Sequence, residues 1–403
     1  MLDLASRHGI SALVYLGLDR WGLDVPPEVR LELRTRHLGA VLHSEVSVDP
    51  TLRSVLLTLR EGGLSPLVIK GGALADTVYP EAACRTLGDV DLLLPDHELG
   101  AASAILRRSG FWVNGGEEET SHHLRAHYSS DGQMGVELHC ELLPEPHPYS
   151  IDVPGLRARA RWAEVARVAV RIPSPADSLH LACVHLAYAH CYRWFPLRSL
   201  ADILAITLLW REELDWDLLQ EITVRSRTAG AVYWPLKLSR EWLGAPVPGA
   251  VLDALERRAR TRMLVEAVAD PRYLLEGEAP PHAGAPVLYD LILDLSLYDG
   301  CPAREQAGVA LKRVLPPREA VGHLPPHVAG SRLRYAAHLL RPSRFLRGLL
   351  ALGRLLGRLA TRCTTTPGRK EASQATSPRW HSRGPVSRPT PVPDVERDGR
   401  PGP

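Results

Sequence analysis

LVIKGG at residues 67–72 and GDVDLLL at residues 88–94 are the two stretches that decide the fold of this chain. The apolar run at 67–69 predicts a short buried strand, and residues 73–79 predict a short helix after it. Glycines between a strand and a helix let backbone N–H groups approach an anion, and the first N–H groups of the helix lack intrahelical partners. The stretch therefore predicts a phosphate-binding turn formed by Lys70, Gly71 and Gly72.

The second stretch predicts a strand at residues 89–94, whose side chains alternate between two faces. Asp89 and Asp91 share one face, so two like charges lie side by side on an otherwise apolar strand. Neighbouring carboxylates repel and raise each other's pKa unless a cation compensates, so the pattern indicates a metal. Ligands that are all oxygen favour Mg²⁺ over zinc.

A third acidic residue follows a hairpin signal. Asp131-Gly132 is typical of a two-residue hairpin turn, and a predicted strand follows at residues 134–140. On that strand Glu137 and His139 share one face, so Glu137 can complete a cluster of three carboxylates. The histidines around the hairpin are candidates for a substrate contact: His122, His123, His127 and His139.

Each motif taken singly also has a structural interpretation. A lysine followed by two glycines is a common turn, Asp91 can be a solvated edge residue, and Glu137 can be an exposed strand position. The order of a glycine turn, a D-x-D strand and a hairpin acid, each in the expected local structure, favours a functional site instead.

At these residues the chain resembles the nucleotidyltransferase superfamily with the polymerase-beta-type fold. It is more closely similar to the bacterial uncharacterised nucleotidyltransferase family, over roughly Leu4 to Leu243 and most specifically over Leu67 to Leu143. Members of that family often lie beside genes for peptide natural products or polysaccharides. The resemblance implies an α+β fold with a nucleotidyltransferase-type mixed sheet and flanking helices, an N-terminal helical lead-in and a C-terminal all-helical domain.

The resemblance also implies roles for individual residues. Asp89 and Asp91 would hold two Mg²⁺ ions, and Glu137 would join the ion that activates the acceptor hydroxyl. The cradle of Lys70, Gly71 and Gly72 would bind the triphosphate, and Arg85 would neutralise part of its charge. The chain departs from the superfamily pattern in having Gly-Gly where Gly-Ser is usual, and in a longer loop at residues 80–88.

The expected activity is transfer of a nucleoside monophosphate from an NTP to a hydroxyl or phosphate group. The acceptor would be an unidentified small molecule, peptide or glycan, in natural-product or surface-glycan biosynthesis. Two alternatives stay open: a non-catalytic module that binds or senses NTP, and a scaffold that acts through the basic C-terminal segment.

Composition agrees with a cytoplasmic enzyme of two or three domains. The chain has 403 residues and a formal net charge of only +2, so no overall basic field indicates a nucleic-acid partner. Its six cysteines form no C-x-x-C pair, which favours a reducing compartment. The first residues show no secretory signal, and no apolar run is long enough to predict a transmembrane helix.

The predicted organisation has five parts. They are a helical lead-in at 1–63, a catalytic core at 64–150, a helical domain at 151–330, a basic amphipathic segment at 331–362 and a disordered tail at 363–403. The arginines and leucines of 331–362 favour packing of the leucines on the helical domain, with peripheral contact to an anionic membrane as the alternative.

Three histidines, His180, His185 and His190, recur every five residues on a predicted helix at residues 174–192. In an α-helix of 3.6 residues per turn, a spacing of five rotates successive side chains by about 140°, so they should not share a face. The spacing therefore favours structural histidines over a zinc site.

Overall fold

The described residues form a seven-stranded mixed sheet, with strand order β3-β4-β5-β2-β1-β7-β6. The strands are β1 Leu67–Ile69, β2 Asp89–Leu93, β3 Trp112–Val113, β4 His127–Tyr128, β5 Gly135–His139, β6 Arg161–Val165 and β7 Val168–Ile172. The predicted α+β class is therefore confirmed, and the chain places its two decisive stretches on the neighbouring central strands β1 and β2.

The computed structural model describes residues 1–113, 124, 126–129, 134–143, 147–190, 192 and 196–259. It also describes nine single residues: 275, 296, 297, 299, 301, 302, 304, 305 and 308. The predicted turn at Asp131-Gly132, the basic segment 331–362 and the tail 363–403 lie outside the described residues. Among the described helices, none combines the length and apolarity needed to cross a membrane.

Helices pack around the sheet. Along the chain, some of them come before the first strand, some lie between strands and some follow the last strand. The α-helices are α1 Leu2–Arg7, α2 Ser11–Arg20, α3 Pro27–His43, α4 Asp49–Glu61, α5 Lys70–Thr77, α6 Asp96–Arg108, α7 Val153–Arg159, α8 Pro175–Val184, α9 Pro196–Leu209, α10 Trp216–Arg225, α11 Ala229–Leu243 and α12 Gly249–Glu256. Two π-helical turns, Ser44–Val48 and His185–Ala189, follow α3 and α8 directly.

The strand register brings the predicted acids together. β2 and β5 are parallel, and Asp91 pairs with Glu137 while Asp89 pairs with Gly135. β1 runs antiparallel to β2 on its other side, with Ile69 opposite Asp91. Laterally paired residues point to the same face of a sheet, so the carboxylates of β2 and β5 are neighbours. The common face predicted from the alternation of the two strands is therefore present.

Burial explains why these short strands are stable. Every residue of β1 is fully buried, as expected for a central strand covered on both faces. On α4 the residues Leu52, Val55, Leu56 and Leu59 are buried at helical spacing, and they join the same core as the sheet. The acids of β2 and β5 are thus held by a rigid apolar scaffold.

The hairpin of β6 and β7 is a feature that the sequence analysis missed, since it expected helices after residue 150. Its turn residues, Ala166 and Arg167, both have positive φ, at 49° and 60°. Such a turn normally carries Asn or Gly, so the usual hairpin signal is absent. The Asp76 carboxylate accepts the Ala166 backbone N–H at 2.7 Å and stabilises the turn from α5. The division of the chain at residue 150 stays a prediction.

Candidate functional site

A cleft of about 420 Å³ lies between the sheet and the helices that follow it. One side, here called the strand wall, consists of Lys70, Gly71, Asp89, Asp91 and Glu137. The other side, here called the helix wall, consists of His185, His190, Arg198, Ser199 and Asp202. Arg85 also lines the cleft, from the loop that precedes β2. Six of the seven predicted site residues therefore line one cavity, and Gly72 is the exception.

Asp91 is the most tightly held residue of the strand wall. Its Oδ1 accepts hydrogen bonds from Lys70 Nζ at 2.6 Å and His139 Nε2 at 2.7 Å. Burial by itself would raise the pKa of this carboxyl, but Lys70 and His139 outweigh burial and hold its pKa well below the usual range. Asp91 is therefore ionised at physiological pH and already has two hydrogen-bonding partners.

Asp89 and Glu137 are more accessible to the cleft than Asp91. Asp89 is exposed at the start of β2, yet the surrounding protein and then the carboxylates of Asp91 and Glu137 raise its pKa. Glu137 is half-buried, and its Oε2 lies 3.3 Å from His139 Nε2. Because Asp91 and Glu137 add to the effect of burial on the pKa of Asp89, the three neighbouring carboxylates fit a site for a cation.

Asp91, Glu137 and His139 can together hold a metal ion. One ligand atom from each lies within 4.8 Å of the others, and the described residues contain no second such group. The set differs from the predicted one in containing the imidazole of His139 and in leaving out Asp89. A catalytic and metal-binding role for Asp89, Asp91 and Glu137 stays a prediction.

The predicted phosphate-binding turn is not a separate loop but the first turn of α5, which begins at Lys70, and its backbone is unusual. Lys70 has φ +52°, a conformation that few non-glycine residues adopt, at the junction between β1 and α5. A Cβ on Gly71 would lie 2.7 Å from Leu87 Cδ2 and 3.0 Å from Arg85 Cζ, so the close approach of Arg85 requires glycine there. Gly72 is buried, and its position faces Val68 rather than the cleft.

Arg85 is paired with an acid from the helix wall. Its Nε donates to Asp202 Oδ1 at 2.8 Å and Oδ2 at 3.1 Å, and the Tyr79 hydroxyl donates to Oδ1 at 2.6 Å. Burial opposes the charge, but Asp202 outweighs it and raises the pKa of Arg85. Binding of triphosphate by Arg85 stays a prediction, and the pairing with Asp202 already neutralises its charge.

The helix wall contains the clearest correction to the sequence analysis. The π turn His185–Ala189 closes with the His190 N–H donating to the His185 carbonyl at 3.0 Å, so residues five apart are brought into line. The two rings meet edge to face with centroids 4.3 Å apart. The expectation that successive histidines do not share a face was therefore wrong for His185 and His190, because it assumed an uninterrupted α-helix.

His180 differs from the other two histidines. Its Nε2 lies 2.8 Å from Thr228 Oγ1 in a buried environment, so it is structural, as predicted. Burial lowers the pKa of His180 to about 4. Burial also lowers the pKa of His190 to about 4, with Arg198 contributing, and brings the pKa of His185 well below its ordinary value, with Lys70 contributing.

Arg198 and Asp202 of α9 were not identified from the sequence. They are one helical turn apart, a spacing that suggests a local ion pair on the helix surface. Instead, Asp202 pairs with Arg85, which is 117 residues away in the chain. Burial, followed by the neighbouring Arg85, lowers the pKa of Arg198 to about 10. No short-range pattern could have shown that α9 faces the acids of β2.

Comparison with known proteins identifies a family. Residues 1–244 match the uncharacterised nucleotidyltransferase family. No curated protein and no solved structure gives a significant match. The family match spans α1 to α11 and includes both walls of the cleft. The chain belongs to the uncharacterised nucleotidyltransferase family, as the resemblance indicated.

Proposed function

We propose that this member of the uncharacterised nucleotidyltransferase family transfers a nucleoside monophosphate from an NTP to a hydroxyl or phosphate acceptor. One observation carries the proposal: Asp91 and Glu137 line a cleft of about 420 Å³, and the buried His139 places a ligand atom within 4.8 Å of theirs. That volume lies within the range of about 300 to 1,000 Å³ that is typical of small-molecule sites. Family membership supports the reaction class.

The donor set fits a divalent cation. Asp91, Glu137 and His139 would hold it, and Asp89 lies on the same face of the sheet. A bound cation would polarise the α-phosphate and lower the pKa of the acceptor hydroxyl. Because His139 adds a nitrogen donor to the predicted oxygen ligands, Mn²⁺ suits the site as well as Mg²⁺. The binding of two Mg²⁺ ions belongs to the proposal.

In the proposed reaction the acceptor oxygen forms a bond to the α-phosphorus, and the bond to the pyrophosphate oxygen breaks. The proton of the acceptor hydroxyl passes to a carboxylate on the strand wall. Asp89 is suited to receive it, because its raised pKa makes it a stronger base than an ordinary aspartate. Lys70 and Gly71, which line the same wall, would position the phosphates.

The finer features of the fold belong to the same proposal. The sheet would be of the nucleotidyltransferase type, with residues 1–63 as a lead-in and the residues after 150 contributing a helical domain. A small-molecule, peptide or glycan acceptor, and a place in natural-product or surface-glycan biosynthesis, are supported by family association alone. Residues 331–362 lie outside the described part of the chain, so membrane contact through them stays a prediction.

The experiment is transfer of label from each of four α-³²P NTPs, with Mg²⁺ or Mn²⁺, into a lysate of the source organism. Asp89→Asn and Glu137→Gln should abolish labelling, because both carboxylates face the cleft. Glu212→Gln is a matched control, since Glu212 is exposed and does not line the cleft. Label that appears with wild type and with the control would name the base and tag the acceptor.

A second assay distinguishes the alternative of a non-catalytic NTP-binding module. Calorimetry of the wild-type protein with each NTP measures binding without turnover. Tight NTP binding with no transferred label under either metal would contradict the transfer reaction and favour the binding module. Labelling that persists in both Asp89→Asn and Glu137→Gln would instead show that the strand wall is not the reaction centre.

A further inference from the structure

Lys70 lies where the proposed metal ligands and the phosphate-binding turn meet. It is the first residue of α5 and directly follows Ile69, which is paired with Asp91 across β1 and β2. Its Nζ donates to Asp91 Oδ1 at 2.6 Å, and the two side chains are only 18% and 10% exposed. Lys70 and Asp91 both line the cleft. A side-chain cation is therefore in direct contact with a carboxylate that the proposed metal ion would use.

The backbone at Lys70 indicates that its side chain has a specific task. Lys70 has φ +52°, a left-handed conformation that glycine adopts at lower cost than lysine. Strained residues of this kind persist where the surrounding structure holds them, and they cluster at ligand-binding sites. A glycine would satisfy the turn between β1 and α5 but would supply no charge to the cleft. The ammonium group is what the lysine adds at this position.

A divalent cation and Lys70 would compete for the same negative charge. Asp91 Oδ1 already accepts hydrogen bonds from Lys70 Nζ and His139 Nε2, which occupy the two lone pairs of one carboxylate oxygen. A metal ion bound through the other oxygen of Asp91 would still lie close to the ammonium, and like charges repel strongly at short range in a partly buried site. The ammonium also opposes the burial and the neighbouring carboxylates that raise the pKa of Asp89. Lys70 thus acts on both acids of β2.

We propose that Lys70 is a movable cation, which neutralises Asp91 until a metal ion binds and then moves to the triphosphate of the NTP. The inference rests on the proposed function and adds the order in which charge is exchanged. The lysine ammonium has a flexible four-carbon stem and three donors, so it can exchange a carboxylate for phosphate oxygens without a backbone change. The metal ion and the triphosphate therefore bind with positive coupling, because each favours the release of Lys70 from Asp91.

The first test is calorimetric titration of Mn²⁺ alone into the full chain, without nucleotide. Lys70→Met should bind Mn²⁺ roughly 10- to 100-fold more tightly than wild type, because the competing cation is removed. Lys237→Met is the matched control, since Lys237 lies on α11, contacts Glu241 and does not line the cleft. Its Mn²⁺ affinity should equal that of wild type. Equal or weaker Mn²⁺ binding by Lys70→Met would overturn the exchange.

The second test is binding of inorganic tripolyphosphate in the presence of saturating Mn²⁺. Lys70→Met should bind tripolyphosphate roughly 10-fold more weakly than wild type, because a charge-assisted contact is lost. The two changes have opposite signs, which no simpler role for Lys70 produces. A lysine that only holds Asp91 in place would weaken Mn²⁺ binding when removed, and a lysine that only binds phosphate would leave Mn²⁺ affinity unchanged. Unchanged tripolyphosphate affinity would overturn the movement to phosphate.

A second variant and a second readout keep folding and turnover separate from the exchange. Lys70→Gly also lacks the ammonium and suits the positive φ, so it should show the same two changes, with thermal melting used to confirm that each variant is folded. Opposite changes in Mn²⁺ and tripolyphosphate affinity, with no label transferred by wild type, would support the exchange and contradict the proposed function. Label transfer by wild type without tighter Mn²⁺ binding in either Lys70 variant would overturn the exchange alone.

Discussion

The two walls of the cleft differ in how their residues are positioned. On the strand wall, alternation along β2 and β5 places Asp89, Asp91 and Glu137 on one face, and pairing of adjacent strands brings them together. On the helix wall, a π turn aligns His185 with His190. Local periodicity therefore determines the first arrangement, whereas the second depends on an interruption of periodicity and on contacts between distant segments.

Each wall also contains a buried ion pair with a different character. Lys70 holds Asp91 at 2.6 Å beside two further acids that face the cleft. Arg85 holds Asp202 at 2.8 Å, and Tyr79 donates to the same carboxylate. The first pair is part of a cluster with excess negative charge, so a ligand cation can rearrange it. In the second pair the two charges cancel each other, and the pair chiefly links the loop before β2 to α9.

The largest effect is expected when the strand wall loses an acid. Asp89→Asn should lower the rate of nucleotidyl transfer by roughly 10³-fold, because a carboxylate that serves the reaction is removed. The measurement is label transfer under saturating NTP, with NTP affinity followed by calorimetry. An unchanged rate in Asp89→Asn, with NTP affinity retained, would break the comparison.

The next largest effect is expected when the Arg85–Asp202 pair is broken. Arg85→Gln should reduce the free energy of unfolding by about 3 to 5 kcal/mol, because it leaves Asp202 buried without its cation. Arg211→Gln should cost under about 1 kcal/mol, since Arg211 is exposed. Urea denaturation of both variants, without nucleotide, measures the two free energies of unfolding. Equal losses of stability would contradict a stabilising role for the Arg85–Asp202 pair.

Acidification should weaken the helix side of the cleft through His180. Its pKa in the folded chain, about 4, lies below the ordinary value of 6.5, so the unfolded chain binds the proton more readily. The contribution is fully present above pH 6.5 and is lost as pH falls towards 4. Between pH 7.5 and pH 5 the loss should be about 2 kcal/mol. Urea titrations of wild type and His180→Gln at both pH values isolate this residue, and identical pH dependence would contradict the assignment.

A smaller effect is expected at the glycine turn of the strand wall. Gly71→Ala should cost about 1 to 2 kcal/mol, because the added Cβ would meet Leu87 and Arg85 at 2.7 to 3.0 Å. Gly88→Ala provides the control, since a Cβ added there would have no atom within 4 Å and Gly88 also lines the cleft. Thermal melting compares the two variants. Similar melting temperatures would show that the packing of Arg85 tolerates displacement.

The sequence predicted much of the strand wall and little of the helix wall. β1 was placed at its observed residues, and Asp89, Asp91 and Glu137 were assigned to the correct faces of β2 and β5. The hairpin of β6 and β7 was missed because its turn residues, Ala166 and Arg167, carry no usual turn signal. His139 was only one of four candidate histidines, because strand alternation gives its face but not its hydrogen bond to Asp91.

By itself, the sequence determined which residues lie on the face of each strand, since a side-chain period of two leaves little freedom on a buried sheet. It also determined the family, through the glycine turn and the acids that follow it. Tertiary structure alone decided that Arg85 pairs with Asp202, that Arg198 faces the acids and that His185 meets His190. These contacts join segments whose separation in the chain carries no periodic signal, and packing of the helices on the sheet selects them.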